Sequence, residues 1–106
     1  MKAITTLIHA DSFFSRACGL LFRTKLKSNE LFWLRRCKAV HTVGMQYPIA
    51  VYFLDQDHKV IRVIRDLKPF RLAWIQQAVS VVETLASAEL TAEDIELAIQ
   101  LFLDRR

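Results

Sequence analysis

The sequence predicts one small α+β domain that spans residues 1–106 and is mainly β, with an antiparallel sheet forming a small barrel or sandwich. Three observations lead to this fold class. A chain of 106 residues is long enough for a single core. Its middle part consists of short runs rich in β-branched and aromatic residues, which are typical of strands. Apolar residues at helical spacing occur only towards the two ends, so we expect a short N-terminal helix and a C-terminal helix.

The N-terminal part predicts a strand followed by the first helix. Residues 3–9 mix β-branched and apolar side chains without a helical stripe, which favours a strand. Asp11 and Ser12 are good N-cap residues, and apolar side chains follow at helical spacing up to Leu20. Gly19 lies where this short helix is expected to end.

The middle of the chain predicts a series of short strands. The candidate runs are residues 31–34, 39–43, 49–54, 59–65 and 78–85. The runs 49–54 and 59–65 flank a polar turn at residues 55–58, which predicts a β-hairpin. Pro69 is expected to break the segment that follows this hairpin.

The end of the chain predicts a helix of about three turns. Thr91 is a good N-cap, and Asp94 three residues later completes a pattern close to a capping box. Apolar residues follow at the spacing i, i+3, i+4, i+7, from Ile95 to Phe102. This amphipathic stripe should pack on the sheet.

Composition and charge narrow the class of protein. Apolar residues make up 53% and charged residues 25% of the chain, which is globular rather than disordered composition. No run approaches the roughly 20 apolar residues that span a bilayer, and the start of the chain is a poor signal peptide. We therefore expect a cytoplasmic protein without membrane insertion, in which Cys18 and Cys37 stay reduced.

The charges are divided unevenly along the chain. Residues 1–72 carry 13 Lys and Arg against 5 Asp and Glu (+8), whereas residues 73–106 carry 2 against 6 (−4), which gives the net +4. This division suits self-association, an acidic partner, or the packing of an acidic tail on a basic body. The oligomeric state stays open.

Cys37, His41 and Met45 recur four residues apart and invite a copper or zinc interpretation. In an extended strand, residues four apart lie about 13 Å from each other. Metal–ligand bonds of roughly 2.0–2.3 Å cannot span that distance. We expect no metal and no cofactor here, and the same distance argues against a Cys37 nucleophile with His41 as its base.

Basic residues and aromatic side chains alternate through the first two thirds of the chain, as they do in proteins that bind single-stranded nucleic acid. These aromatic residues lie in apolar runs that the core needs, and a net charge of +4 is modest. Nucleic acid is therefore not the expected partner.

Several blocks of sequence together resemble the bacterial and archaeal family called domain of unknown function 192. The blocks are Gly19-Leu20-Leu21-Phe22-Arg23, Val40-His41-Thr42 with Gly44-Met45 and Pro48-Ile49, Val51-Tyr52-Phe53-Leu54-Asp55, and Val81-Val82-Glu83. The resemblance implies a compact, mainly β fold with a short N-terminal helix, and it implies no activity.

The chain departs from the family pattern at three places. Ala50 stands where the family usually has an acidic residue, and His58 stands where it usually has glycine in the hairpin turn. Residues 86–104 predict a helix where the family usually closes with a strand. The loss of an acidic residue weakens the case for an enzyme.

We predict a binding or accessory module that recognises a protein or a small ligand through Arg23, His41, Met45 and Asp55. No catalytic residue is assigned. The alternatives are an enzyme that uses His41 and Arg23 with Asp55 or Glu83, and a weak nucleic-acid binder. An enzyme should bring His41 close to a carboxylate in a cleft.

Overall fold

The computed structural model describes residues 6–10, 29–36, 38–41, 47–68 and 71–105, with the backbone alone described for 6–10 and 39–41. Seven strands and one α-helix occur in this part of the chain. They are β1 (Thr6–Ala10), β2 (Glu30–Arg35), β3 (Ala39–His41), β4 (Ile49–Leu54), β5 (Val60–Leu67), β6 (Leu72–Trp74), β7 (Ser80–Leu85) and α1 (Ala92–Asp104). A short 3-10 turn, Ala86–Ala88, connects β7 to the segment before α1.

The strands form one large and one small sheet. The large sheet has the order β1-β2-β7-β4-β5, in which β1 and β2 are parallel and the other neighbours are antiparallel. Strands β3 and β6 form a separate antiparallel pair, which we call the ribbon. Strand β7 is therefore the central strand of the large sheet, although it is the last strand in the sequence.

The predicted class, a mainly β domain with a C-terminal helix, is confirmed. The barrel is not supported, because the large sheet is open among the described residues, with β1 and β5 at its edges. The sheet is also mixed rather than purely antiparallel. The predicted N-terminal helix lies outside the described residues. Strand β6 was not predicted, because a run of three residues after Pro69 is too short to show a period.

Burial separates the central strands from the edges. Every residue of β4 and β7 is buried, which explains why β4 is a continuous apolar run without alternation. Strand β7 is buried as well, although three of its six residues, Ser80, Glu83 and Thr84, are polar. By contrast, four of the eight residues of the edge strand β5 are exposed, and Leu67 is the one that is fully buried. Two irregularities in its register with β4 and the exposed charges of Arg62, Arg65 and Asp66 make this edge unsuitable for pairing with another chain.

Helix α1 is fixed to one face of the sheet at its N-terminus. The Tyr52 hydroxyl on β4 donates a hydrogen bond of 2.6 Å to the Leu90 carbonyl oxygen. Arg65 Nη1 donates to the same oxygen at 3.2 Å. Further along, Glu96 Oε2 accepts a bond of 2.8 Å from the backbone N–H of Val60. These contacts join α1 to both β4 and β5.

The first turn of α1 contains the capping box that the sequence indicates. Thr91 Oγ1 accepts a hydrogen bond from the Asp94 N–H at 3.0 Å, and Asp94 Oδ2 accepts from the Thr91 N–H at 2.9 Å. Two N–H groups that lack a partner within the helix are thereby satisfied. No helix among the described residues is long and apolar enough to cross a membrane.

The capping box should contribute measurably to stability. We expect Thr91→Ala to lower the free energy of unfolding by about 1 kcal/mol, because the Asp94 N–H loses its acceptor. Urea denaturation followed by circular dichroism measures this change. Ser87→Ala, an exposed substitution in the 3-10 turn, is the control and should have a much smaller effect. An equal effect of the two substitutions would contradict the role of the cap.

Candidate functional site

The four predicted site residues have different positions relative to the described structure. Arg23 and Met45 lie outside the described residues. His41 is the last residue of β3, where its backbone pairs with Leu72 of β6. Asp55 is the only one of the four whose side chain is described, and it lies directly after β4. The predicted grouping of these residues therefore stays a prediction.

Asp55 organises the hairpin turn between β4 and β5. Its Oδ1 atom accepts hydrogen bonds from the N–H groups of Asp57 at 2.9 Å and Lys59 at 3.0 Å. Its backbone N–H donates to the Lys59 carbonyl oxygen, and its carbonyl oxygen accepts from the His58 N–H. This is the Asx type of turn that aspartate favours. In this structure the side chain of Asp55 thus has an architectural role.

His58 adopts a backbone conformation that usually favours glycine. Its φ of 62° lies in the left-handed region, which costs a residue with a Cβ about 1 kcal/mol or more. Its ring contacts the edge of the Trp33 ring, with 5.6 Å between centroids and planes at 82°. Contact with a buried tryptophan offsets the cost of the turn. The substitution of histidine for the family's glycine is therefore explained by packing.

Trp33 connects the hairpin turn to the helix. Besides His58, it contacts the Phe102 ring of α1 edge-on at 5.9 Å, and the Arg35 guanidinium lies 4.8 Å from its ring centroid. Tyr52 lies on the same face of the sheet, since both residues are in register with Val82. Burial raises the pKa of the Tyr52 hydroxyl, an effect that a hydrogen bond with Thr84 partly offsets. This face of the sheet is a closed packing layer rather than a binding cleft.

The opposite face contains a buried carboxyl group at the centre of the sheet. Glu83 of β7 is in register with Phe32 of β2 on one side and with Val51 of β4 on the other. Only 5% of Glu83 is exposed. Its cross-strand neighbours are apolar, so the carboxyl group faces an environment that disfavours a negative charge.

The environment of Glu83 changes its protonation. Burial raises the pKa of the carboxyl from the ordinary value of 4.5 to about 8. Among the described residues, no cation and no hydrogen-bond donor offsets this effect. At neutral pH the group is therefore mainly a neutral carboxylic acid. A carboxyl of this kind can donate a hydrogen bond or a proton, whereas it cannot act as a permanent negative charge.

The ribbon presents the largest exposed apolar side chains near the predicted site. Leu72 is 73% exposed and Trp74 is 56% exposed, while Ala73 between them is buried in the core. Leu72 is the register partner of His41, and Trp74 is the register partner of Ala39. In β6, the side chain of Ala73 thus packs in the core, and the side chains of Leu72 and Trp74 are exposed to solvent.

Positive charges lie at both ends of this apolar pair. Arg71 directly precedes Leu72 and is exposed. At the other end, the exposed Lys38 is connected to the strand through its carbonyl oxygen, which accepts a hydrogen bond of 3.0 Å from the Ile75 N–H. The exposed pair Leu72 and Trp74, together with the exposed cations next to its two ends, Arg71 and Lys38, is called the ribbon face below. It combines apolar area with a positive rim.

The burial of Glu83 and the existence of the ribbon face were not predicted from the sequence. Glu83 was assigned only to the alternative of an enzyme, because its burial depends on β7 being the central strand. The ribbon face was missed because β6 was not predicted. A Leu-x-Trp alternation next to arginine was the available signal. Among the described residues, no group of three His, Cys, Asp or Glu side chains is arranged to hold a metal ion.

The fold and these features define a small domain with an open mixed sheet, a helix on one face and a separate two-stranded ribbon. The chain belongs to the domain of unknown function 192 family (DUF192, uncharacterized ACR), whose family model matches residues 2–99. This confirms the family resemblance. No curated protein matches the chain.

Two crystal structures are similar in fold. One is a protein of unknown function from Novosphingobium aromaticivorans DSM 12444, with a TM-score of 0.69, 19% identity, and coverage of 80% of this chain and 69% of that chain. The other is described as a putative transcription regulator from Sinorhizobium meliloti 1021, with a TM-score of 0.69, 15% identity, and coverage of 77% and 69%. At these identities the likeness shows the fold alone.

The raised pKa of Glu83 predicts how stability depends on pH. Between pH 4.5 and about 8 the unfolded chain has lost this proton and the folded chain retains it. Stability should therefore fall as the pH rises through this window, by up to about 1.4 kcal/mol per pH unit. Glu83→Gln removes the titration, so its stability relative to the wild type should increase with pH.

Urea denaturation at several pH values within this window measures the effect. Glu89→Gln, which removes an exposed carboxyl close in sequence, is the matched control and should leave the pH dependence nearly unchanged. If Glu83→Gln and the wild type lose stability in parallel, the folded protein does not retain a proton on Glu83.

Proposed function

We propose that this chain is a protein-binding module and that the ribbon face is its binding surface. One observation carries this proposal: Leu72 and Trp74 lie side by side in solvent on a strand that is firmly attached to the core through Ala73. Burying exposed side chains of this size against a partner releases a large amount of apolar surface from water. Tryptophan is also one of the residues most enriched at energetically important positions of interfaces.

The position of the ribbon supports this role. The backbone of His41, a residue of the predicted site, is in register with Leu72, so the proposed surface lies beside one of the predicted positions. The ribbon is hydrogen-bonded as a separate sheet, so a partner can contact it without disturbing the five-stranded sheet. Backbone fixed in a strand loses little conformational entropy on binding, which favours affinity.

Exposed apolar residues on the helix provide a comparison. Leu97 and Leu101 of α1 are exposed to 39% and 47% and lie one turn apart. Acidic residues lie one turn away on both sides, Glu93 before Leu97 and Asp104 after Leu101, and the nearest basic residue is the C-cap Arg105. They are less exposed than Leu72 and Trp74, and isolated apolar residues on a protein surface are common. We therefore assign the binding role to the ribbon face.

Glu83 is the observation that favours the alternative of an enzyme. A carboxyl with a pKa of about 8 has the protonation state of a general acid near neutral pH. Acid catalysis also requires a second group that acts on the substrate and a path by which the substrate enters. In the described part of the chain, the register partners of Glu83 are Phe32 and Val51, and neither can act as a nucleophile or a base. Binding through the ribbon face is therefore the better supported function.

The proposal predicts that the ribbon face is needed for partner binding. Wild-type protein and the double variant Leu72→Ser, Trp74→Ser are immobilised and exposed to extract of cells that express the chain naturally. Captured proteins are compared by quantitative mass spectrometry, and each candidate is purified for direct calorimetric titration. We expect at least one purified candidate to bind the wild type, with affinity about tenfold or more weaker for the variant.

The matched control is the double variant Leu97→Ser, Leu101→Ser, which removes a similar apolar area from α1. It should retain the partner, because its substitutions lie outside the ribbon. Circular dichroism and urea denaturation verify that both variants are folded. If no purified candidate distinguishes the ribbon variant from the helix variant, the ribbon face is not the binding surface.

A further inference from the structure

Resting on the proposed role of the ribbon face, we propose that it binds an acidic, extended segment of the partner protein. The segment adds to the open edge of β6 as a third strand. This names both the chemistry of the partner and the geometry of its binding. Three features of the ribbon carry the inference: the direction of its backbone groups, the alternation of its side chains and the sign of its charges.

The first feature is the direction in which the backbone N–H and C=O groups of β6 point. In an antiparallel pair, alternate residues direct both groups towards the neighbouring strand. The Ile75 N–H donates a hydrogen bond to the carbonyl oxygen of Lys38, which directly precedes β3. The backbone N–H and C=O groups of Ala73, two residues before Ile75, therefore also point towards β3. Leu72 and Trp74 lie between these positions, so their N–H and C=O groups point away from β3.

These outward groups form an unoccupied edge within the described structure. Strand β6 is paired with β3 alone, and none of the described strands lies on its other side. Leu72 and Trp74 together offer two donors and two acceptors at the spacing that an extended chain requires. An edge of this kind is what β-strand addition uses in peptide recognition. By contrast with β5, no register irregularity interrupts β6.

The second feature is that the outward backbone groups and the exposed side chains belong to the same residues. Leu72 and Trp74 alternate with the buried Ala73, so both exposed side chains share one side of the ribbon. A strand added to this edge would place alternate side chains beside them on that side. The geometry therefore selects a segment with apolar residues at every second position.

The third feature is the charge around the edge. Arg71 and Lys38 lie at opposite ends of the Leu72–Trp74 pair. The part of the chain from residue 1 to residue 72 carries the excess of +8, to which both belong. Acidic residues at both ends of the incoming segment complement these cations and accelerate association. A basic segment would meet like charges and be rejected.

A single-stranded nucleic acid is the competing occupant of a surface with tryptophan and basic residues. Stacking proteins use several aromatic rings along a positive groove, with one base on each ring. Among the exposed large apolar residues of the described structure, Trp74 is the one aromatic, and its exposed neighbour Leu72 is aliphatic. An open strand edge also offers backbone pairing that a nucleic acid cannot match. These observations favour the peptide.

The experiment uses a phage-displayed library of random peptides selected on the intact wild-type chain. We expect an enriched motif with apolar residues at alternate positions, flanked by aspartate or glutamate. The enriched peptide, labelled with fluorescein, is then titrated by fluorescence anisotropy. Replacing its acidic residues with lysine should weaken binding about tenfold or more. Selection of no peptide, or of a basic one, would overturn the proposal.

Backbone methylation of the peptide tests strand addition directly. Methyl groups on the amides that face the edge of β6 should weaken binding about tenfold or more, because those hydrogen bonds cannot form. Methyl groups on the intervening amides are the control and should have a much smaller effect. Equal effects of the two methylation patterns would show that the peptide does not add as a strand.

Variants of the chain locate the site and separate the two proposals. Lys38→Glu should weaken the acidic peptide severalfold, whereas Lys59→Glu, an exposed lysine in the hairpin turn, should not. Preferential binding of oligothymidylate to Trp74 would replace the peptide with nucleic acid. If Leu72→Ser, Trp74→Ser loses the natural partner but the peptide tests fail, the binding surface stands and the extended acidic partner is wrong.

Discussion

The pairing of β7 with both β2 and β4 is the interaction on which the rest of the structure depends. Strand β7 occupies residues 80–85, but its neighbours occupy residues 30–35 and 49–54. All three strands become buried only when β7 is inserted between them. Because this contact closes a long loop of chain, it costs considerable conformational entropy and must be offset by apolar burial on both faces.

The central position of β7 also explains the most unusual group in the core. Glu83 lies on the central strand of the sheet and is only 5% exposed, so its carboxyl has little contact with water. Retaining the proton is the least unfavourable outcome in such surroundings. The core therefore includes a titratable group in a layer that is otherwise apolar, and this links the stability of the sheet to pH.

The two faces of the structure differ in what they leave exposed. On the side of α1, Trp33, Phe102 and Tyr52 are closed off by ring contacts and by the hydrogen bond to Leu90. Strand β6 of the ribbon is built in the opposite way, since its buried residue is Ala73 and its exposed residues are the larger Leu72 and Trp74. Placing Leu72 and Trp74 in water contributes nothing to the stability of the isolated chain. Such an arrangement is consistent with a surface whose apolar residues become buried only on binding.

The sequence alone determined the local structure wherever the signal lies within a few residues. The hairpin around Asp55 follows from an aspartate that accepts backbone N–H groups two and four residues later. The start of α1 follows from the reciprocal bonds of Thr91 and Asp94. The buried strand β4 was predictable because a continuous apolar run needs to be covered on both faces. The family, too, was identified from spaced motifs.

Only the tertiary structure decided which strands are neighbours, and hence which side chains are buried and which are exposed. The order β1-β2-β7-β4-β5 depends on contacts between distant segments, which no local pattern encodes. Asp55 was predicted as a ligand group, and the structure adds that its Oδ1 atom holds the hairpin turn. Local rules predict that the charged Glu83 is exposed and that the aromatic Trp74 is buried. The structure shows the opposite for both residues. Their burial and exposure are set by the strands beside them, because the environment of a side chain is a property of the assembled sheet.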